Sequence, residues 1–216
     1  MTIPLPYRHI IWDWNGTLFN DAWLCVAIMN NMLARRDLPA LTLAHYETIF
    51  DFPVEDYYRL VGFNFITDPF SILSDEFIDE YNRRVTECRL RRGARETLDR
   101  AQALGLTQSI LSAMEQTNLD RLVEHFGLRQ YFTDVVGLAD HHARGKVETG
   151  KAWIAGQSVA PDEMVFVGDT VHDGEVAEAL GAKCLHIYSG HHSRERLAAT
   201  GAPILAHLGE VFVATA

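Results

Sequence analysis

Five short stretches of the chain are apolar with little polar alternation: HIIWDW (9–14), TQSILSA (107–113), TDVVGLAD (133–140), EMVFVGDT (163–170) and AKCLHIYSG (182–190). Such runs mark strands of a parallel sheet whose two faces are both covered by helices. Between them apolar positions recur every three or four residues. Leu119, Leu122, Val123 and Phe126 keep that spacing up to Gly127, and Val176, Ala177 and Leu180 keep it up to Gly181. Both glycines read as helix stops. Trp153 and Ile154 fall in a further helix between these two. The alternation predicts an α/β fold, a Rossmann-like doubly wound parallel sheet of about five strands.

The region after the first strand breaks this rhythm. AWLCVAIMNNMLARR and SDEFIDEYNRRV read as helices, joined by the Pro- and aromatic-rich FDFPVEDYYRLVGFNF. A helical insertion here predicts a second lobe over the carboxyl edge of the sheet, where ligands of open α/β sheets bind. The expected division is an α/β core of residues 1–20 and 90–216 and a helical cap of residues 21–89. Phe50, Phe52, Tyr57, Tyr58 and Phe63 either face a substrate or form the core of that cap.

Composition narrows the function. The 216 residues carry a formal charge of -10, which speaks against a nucleic-acid partner and leaves any anionic substrate in need of local positive charge or a metal. Cys25, Cys88 and Cys184 are scattered without a CxxC spacing, so neither a disulfide framework nor a zinc site is expected. MTIPLPYRHI lacks the pattern of a secretion signal, and AWLCVAIMNNMLA is too short and polar to span a bilayer. The expectation is a cytoplasmic monomer or homodimer with no membrane partner.

The candidate chemistry lies at strand ends. Asp13 ends the first strand, Asp169 ends the fourth, and Asp173 follows four residues later near a helix start. In parallel neighbouring strands these acids converge, and three carboxylates so close repel unless a cation intervenes. An all-oxygen donor set suits Mg²⁺ better than zinc. Each acid taken alone also reads as a cap or turn residue.

Asp13-Trp14-Asn15-Gly16-Thr17-Leu18 resembles the first motif of the haloacid dehalogenase superfamily, DxDGT with a following apolar residue. Ser112 matches the second motif, Lys146 the third, and Gly168-Asp169 with Asp173 the fourth. The similarity extends over essentially the whole chain and is nearest to the phosphoglycolate phosphatase-like group. It implies a phosphatase acting on a small soluble phosphomonoester. Asp13 would be the nucleophile, with Asn15 and Lys146 beside it. Asp13, the Asn15 carbonyl, Asp169 and Asp173 would hold Mg²⁺. Thr17, Ser112, the Ala113 N–H and Lys146 would bind the phosphate.

One position departs from the pattern. The family usually has aspartate two residues after the nucleophile, as acid and base, and this chain has Asn15. An amide transfers no proton near neutral pH, and a positioned acid–base group contributes about 10²–10⁴-fold. The substitution implies a preference for acidic leaving groups, a replacement such as His172, or a slow phosphotransferase or non-catalytic phosphate-binding relative. His141, His142, His191 and His192 follow strands and read as solvated loop residues, or as contacts to a substrate or a second metal. Arg91 and Arg92 either attract an anion or start the ETLDRAQALG helix. GKVETGK (145–151) matches a phosphate loop in spacing, but Ala152 stands where a hydroxyl is needed.

Overall fold

The computed structural model describes residues 6–139, 145–188 and 190–213. In chain order its elements are β1 (His9–Trp12), β2 (Phe19–Asn20), α1 (Ala22–Ala34), α2 (Leu43–Ile49), α3 (Val54–Leu60), α4 (Phe70–Arg84), β3 (Arg89–Leu90), α5 (Ala94–Ala103), β4 (Thr107–Glu115), α6 (Gln116–His125), β5 (Asp134–Leu138), α7 (Lys146–Ile154), β6 (Met164–Gly168), α8 (Val171–Leu180), β7 (Lys183–Ile187), α9 (Arg194–Ala198) and β8 (Ile204–Leu205). Six strands, one more than expected, form a sheet in the order β5-β4-β1-β6-β7-β8, and every pairing in it is parallel. The extra strand, β8, has only two residues, too short for a periodicity signal.

Strand alternation divides the interior in two. Ile10 and Trp12 join Ile110, Val165 and Val167 on one face. Ile11 joins Leu111, Phe166, Val176 and Leu180 on the other, under α7 and α8. Burial on both faces explains why these strands show no polar alternation in sequence. The helix stops fall as expected, with Gly127 and Gly181 at φ 59° and 74°, where glycine is unstrained.

Residues 22–84 form four helices rather than two. Thr42 starts α2 by accepting from the His45 N–H at 3.1 Å. The aromatic-rich connector contains α3, begun after Pro53 with Glu55 and Asp56 in its first turn. The chain leaves for this region along β2 and returns along β3, an antiparallel pair matching Phe19 to Leu90 and Asn20 to Arg89. Tyr57, Tyr58 and Phe63 are buried among these helices, whereas Phe50 and Phe52 lie at the seam with the sheet domain. No helix among the described residues is long and apolar enough to cross a membrane.

Candidate active site

The carboxyl ends of β1 and β6 lie side by side, and the Asp13 N–H extends their ladder by donating to the Val167 carbonyl at 2.9 Å. Asp13 therefore sits one residue beyond β1 on the α7–α8 side. Lys146, the first residue of α7, lies with its ammonium 4.9 Å from the centre of the Phe166 ring and reaches Asp13 Oδ1 and, at 2.6 Å, Asp173 Oδ1. Asp173 occupies the first turn of α8 in a capping box with Thr170: its Oδ2 accepts from the Thr170 N–H at 2.9 Å and from the Thr170 hydroxyl at 2.7 Å. Asp169 follows β6 and accepts from the Thr17 hydroxyl and the His191 N–H, each at 2.6 Å. One oxygen from each of Asp13, Asp169 and Asp173 can be chosen so that all three lie within 4.8 Å of one another. All three residues are buried.

The electrostatics follow from burial. Desolvation raises the Asp13 carboxyl well above the ordinary range, with Lys146 opposing and Asp173 and Asp169 adding to the rise. Desolvation and Asp173 also raise Asp169, against His191. Burial would raise Asp173 too, but the Lys146 charge and the hydrogen bonds from Lys146 and Thr170 hold it at about 2. Lys146 loses some basicity to burial and regains more from its two carboxylates, so it stays charged. One ammonium thus meets two of the three clustered carboxylates. The donor set fits a divalent cation, which would offset the remaining charge.

Asn15 follows Trp14 in the loop, and its side chain has a defined role. Its Nδ2 donates to Asp21 Oδ2 at 2.7 Å and to the Tyr81 hydroxyl at 2.9 Å. Asp21, buried ahead of α1, also accepts from Tyr81 at 2.7 Å and from the Gly16 N–H at 2.9 Å. His191 Nε2 stands 3.4 Å from Asp21 Oδ1, an ion contact without hydrogen-bond alignment, and its Nδ1 meets the Tyr46 hydroxyl at 2.7 Å. Burial would raise Asp21, but His191, Tyr81 and Asn15 hold it down; Asp21 in turn brings His191 up to about 9. The sequence offered no signal for Asp21, Tyr46 or Tyr81, because each reads as an ordinary cap or core residue.

Gly16 makes the close approach possible. At φ 71°, a Cβ there would lie 2.2 Å from Asp169 Oδ2. Ser112 is fully buried in β4, its hydroxyl accepting from the Met114 N–H at 3.1 Å. The β4–β5 register shifts between Leu111 and Glu115, so Ala113 falls outside the paired ladder and is exposed. His191 and His192 are not solvated as expected: they are 6% and 0% exposed, with Phe50 against both rings. Burial lowers His192 to about 4, and its Nδ1 accepts from the Val171 N–H. His172 is half-buried with its ring 5.0 Å from Phe52, and desolvation lowers its pKa. His141 and His142 lie outside the described residues. Gly145 precedes α7 and Lys151 is exposed, so the GKVETGK spacing forms no phosphate loop.

A parallel sheet with an acid after β1, a lysine opening α7 and two acids after β6 is the architecture of a known hydrolase family. Residues 10–187 match the haloacid dehalogenase-like hydrolases, and the chain belongs to that family. Among individual relatives, it is 25% identical over 177 residues to a phosphoglycolate phosphatase of Xanthomonas campestris, covering 81% of this chain and 80% of that one. It is 24% identical over 108 residues to the tyrosine-protein kinase PtkA of Mycobacterium tuberculosis, a match spanning 50% of this chain but only 37% of the kinase. The fold is similar to that of a predicted phosphatase from Clostridium acetobutylicum, with a TM-score of 0.81, 20% identity and coverage of 95% and 96% of the two chains.

Proposed function

We propose that the protein is a Mg²⁺-dependent phosphatase of small phosphomonoesters that works through an aspartyl-phosphate on Asp13. The observation that carries this reading is the buried set of Asp13, Asp169 and Asp173 with Lys146 as their internal cation. Asp13, the Asn15 carbonyl and Asp169 would hold the metal, with Asp173 in support; when bound, it supplies positive charge against the phosphoryl oxygens. An Asp13 oxygen attacks phosphorus as the bond to the leaving oxygen breaks, and water then hydrolyses the acyl phosphate to regenerate the carboxylate. Lys146 lowers the charge of the nucleophile and of the transferring group together. Ser112, the Ala113 N–H and Thr17 would cradle the phosphate oxygens. Thr17 would have to turn its hydroxyl away from Asp169 to do so, because its N–H donates to the Trp14 carbonyl and its own carbonyl accepts from Arg91.

Residues 1–20 and 90–216 serve in this reading as the catalytic core, and 21–89 as a cap that excludes water and selects the substrate. The two are tied by Arg196, which bonds the Phe50 carbonyl and, at 2.6 Å, Asp51 Oδ2. Asn15 supplies no proton, so aryl phosphates should turn over faster than alkyl phosphates. Phosphoglycolate enters as a candidate substrate from the Xanthomonas relative alone.

The deciding experiment is phosphate release from p-nitrophenyl phosphate with and without Mg²⁺, in wild type and Asp13→Asn. Magnesium-dependent turnover abolished in Asp13→Asn is expected; the absence of turnover in wild type would sink the reading. A second reading, phosphotransfer, is favoured by Asn15 together with the similarity to a tyrosine kinase. It predicts phosphate appearing on an added alcohol or tyrosine peptide faster than as free phosphate.

A further inference from the structure

A cavity of about 620 Å³ opens between the start of α5, the end of β7 and the segment after β8. None of Asp13, Ser112, Lys146, Asp169 or Asp173 lines it. Arg91 forms part of its wall and separates it from the catalytic carboxylates, donating to the Gly16 carbonyl and, at 2.8 Å, to the Thr17 carbonyl. Arg92 and Arg100 face the same space, and the largely buried Phe212 lies beneath the Arg100 guanidinium.

The charge here runs against the rest of the molecule. The chain has 29 acidic residues against 19 lysines and arginines; Arg8, Arg35, Arg36, Arg59, Arg84 and Arg196 pair with carboxylates, whereas Arg92 and Arg100 are among those that do not. Among the described residues, Arg92 makes no hydrogen bond or ion pair, and Arg100 only stacks on Phe212, its guanidinium carbon 4.7 Å from the ring centre. Glu96 is the single carboxylate of the lining, against three arginines. Arg92 and Arg100 are exposed and pair with no carboxylate among the described residues, so both guanidiniums are open to an anion. Guanidinium matches phosphate with paired hydrogen bonds, and the volume falls in the range of small-molecule sites.

We propose that this cavity is a second ligand site, separate from the catalytic one, for a phosphorylated small molecule of about mononucleotide size. Its phosphate would lie between Arg92 and Arg100, and the rest of the molecule in the remaining space of the cavity. The proposal stands whether or not the catalytic reading holds.

The test is calorimetric titration of metal-free protein with adenosine monophosphate, comparing wild type, the double variant Arg92→Ala/Arg100→Ala and Ser112→Ala. Saturable one-to-one binding is expected in wild type and equally in Ser112→Ala, weakened about ten-fold or more in the arginine double variant. Adenosine should not bind. Binding lost in Ser112→Ala instead would place the probe in the catalytic site and overturn the proposal. So would adenosine binding as tightly as the nucleotide, unchanged affinity in the arginine variant, or no saturation by millimolar probe. If the double variant fails to fold, the exposed Arg92→Glu makes the same comparison by charge reversal.

Discussion

The side-chain amide of Asn15 donates to the carboxylate of Asp21 at 2.7 Å, inside a pocket that leaves Asp21 only 1% exposed. The amide at position 15 and the acid at position 21 are therefore one unit. Replacing Asn15 by aspartate does more than restore a missing acid: it sets two carboxylates against each other and removes a donor from a buried charge. Asn15→Asp should lose about 2–4 kcal/mol of stability, measured by chemical denaturation. The double variant Asn15→Asp/Asp21→Asn, which reverses the polarity of the same hydrogen bond, should recover most of that loss. Additive destabilisation in the double variant would refute the coupling.

Lys146 offers a second measurement. It reaches both Asp13 and Asp173 in a buried setting, so Lys146→Met leaves two carboxylates without their counter-charge. Breaking a buried pair from one side costs about 3–5 kcal/mol, or roughly 6–20 °C in Tm for a chain of this size. If the carboxylates then attract a cation more strongly, Mg²⁺ should raise the Tm of the variant by more than it raises that of wild type. Differential scanning calorimetry with and without Mg²⁺ checks both halves.

Gly190 tests how tightly the site is packed. A Cβ on it would lie 2.1 Å from Asp169 Oδ2, closer than atoms can approach, and Asp169 is already held by Thr17 and the His191 N–H. Gly190→Ala should push the carboxylate out of place, weakening any Mg²⁺-induced rise in Tm by more than half while costing about 1–3 kcal/mol of overall stability. A full magnesium response in this variant would show that Asp169 is not needed for the metal.

The sheet was legible because its strands are buried on both faces, which forces continuous apolar runs such as MVFVG in β6. The convergence of Asp13, Asp169 and Asp173 was legible because strand ends in a parallel sheet share one edge. Helices α2 and α3 were hidden for a different reason. Each has seven residues, too few for a repeating pattern to stand out, and α3 follows a proline that reads as a break. The Asn15–Asp21–His191 cluster was hidden because its contacts join positions up to 170 residues apart, and nothing local marks a loop histidine that helix α2 will cover. The Tyr46 hydroxyl and the Phe50 ring supply that cover, which turned an expected solvated residue into a buried one.

His191 gives the clearest pH dependence. Its pKa of about 9 in the folded protein lies above the ordinary value of 6.5, chiefly because Asp21 outweighs the cost of burial. A group whose folded pKa is raised contributes stability that is fully present below the unfolded value and lost as pH climbs through the folded one. The metal-free protein should therefore lose on the order of 2 kcal/mol between pH 6.5 and pH 9 from this residue. His191→Gln keeps a polar side chain against Tyr46 and cannot take the charge, so its stability should be lower at pH 6.5 and flatter across the same window. Denaturation at half-unit pH steps compares the slopes. A slope that survives in His191→Gln would assign the dependence to another group and show that the Asp21–His191 contact carries no charge.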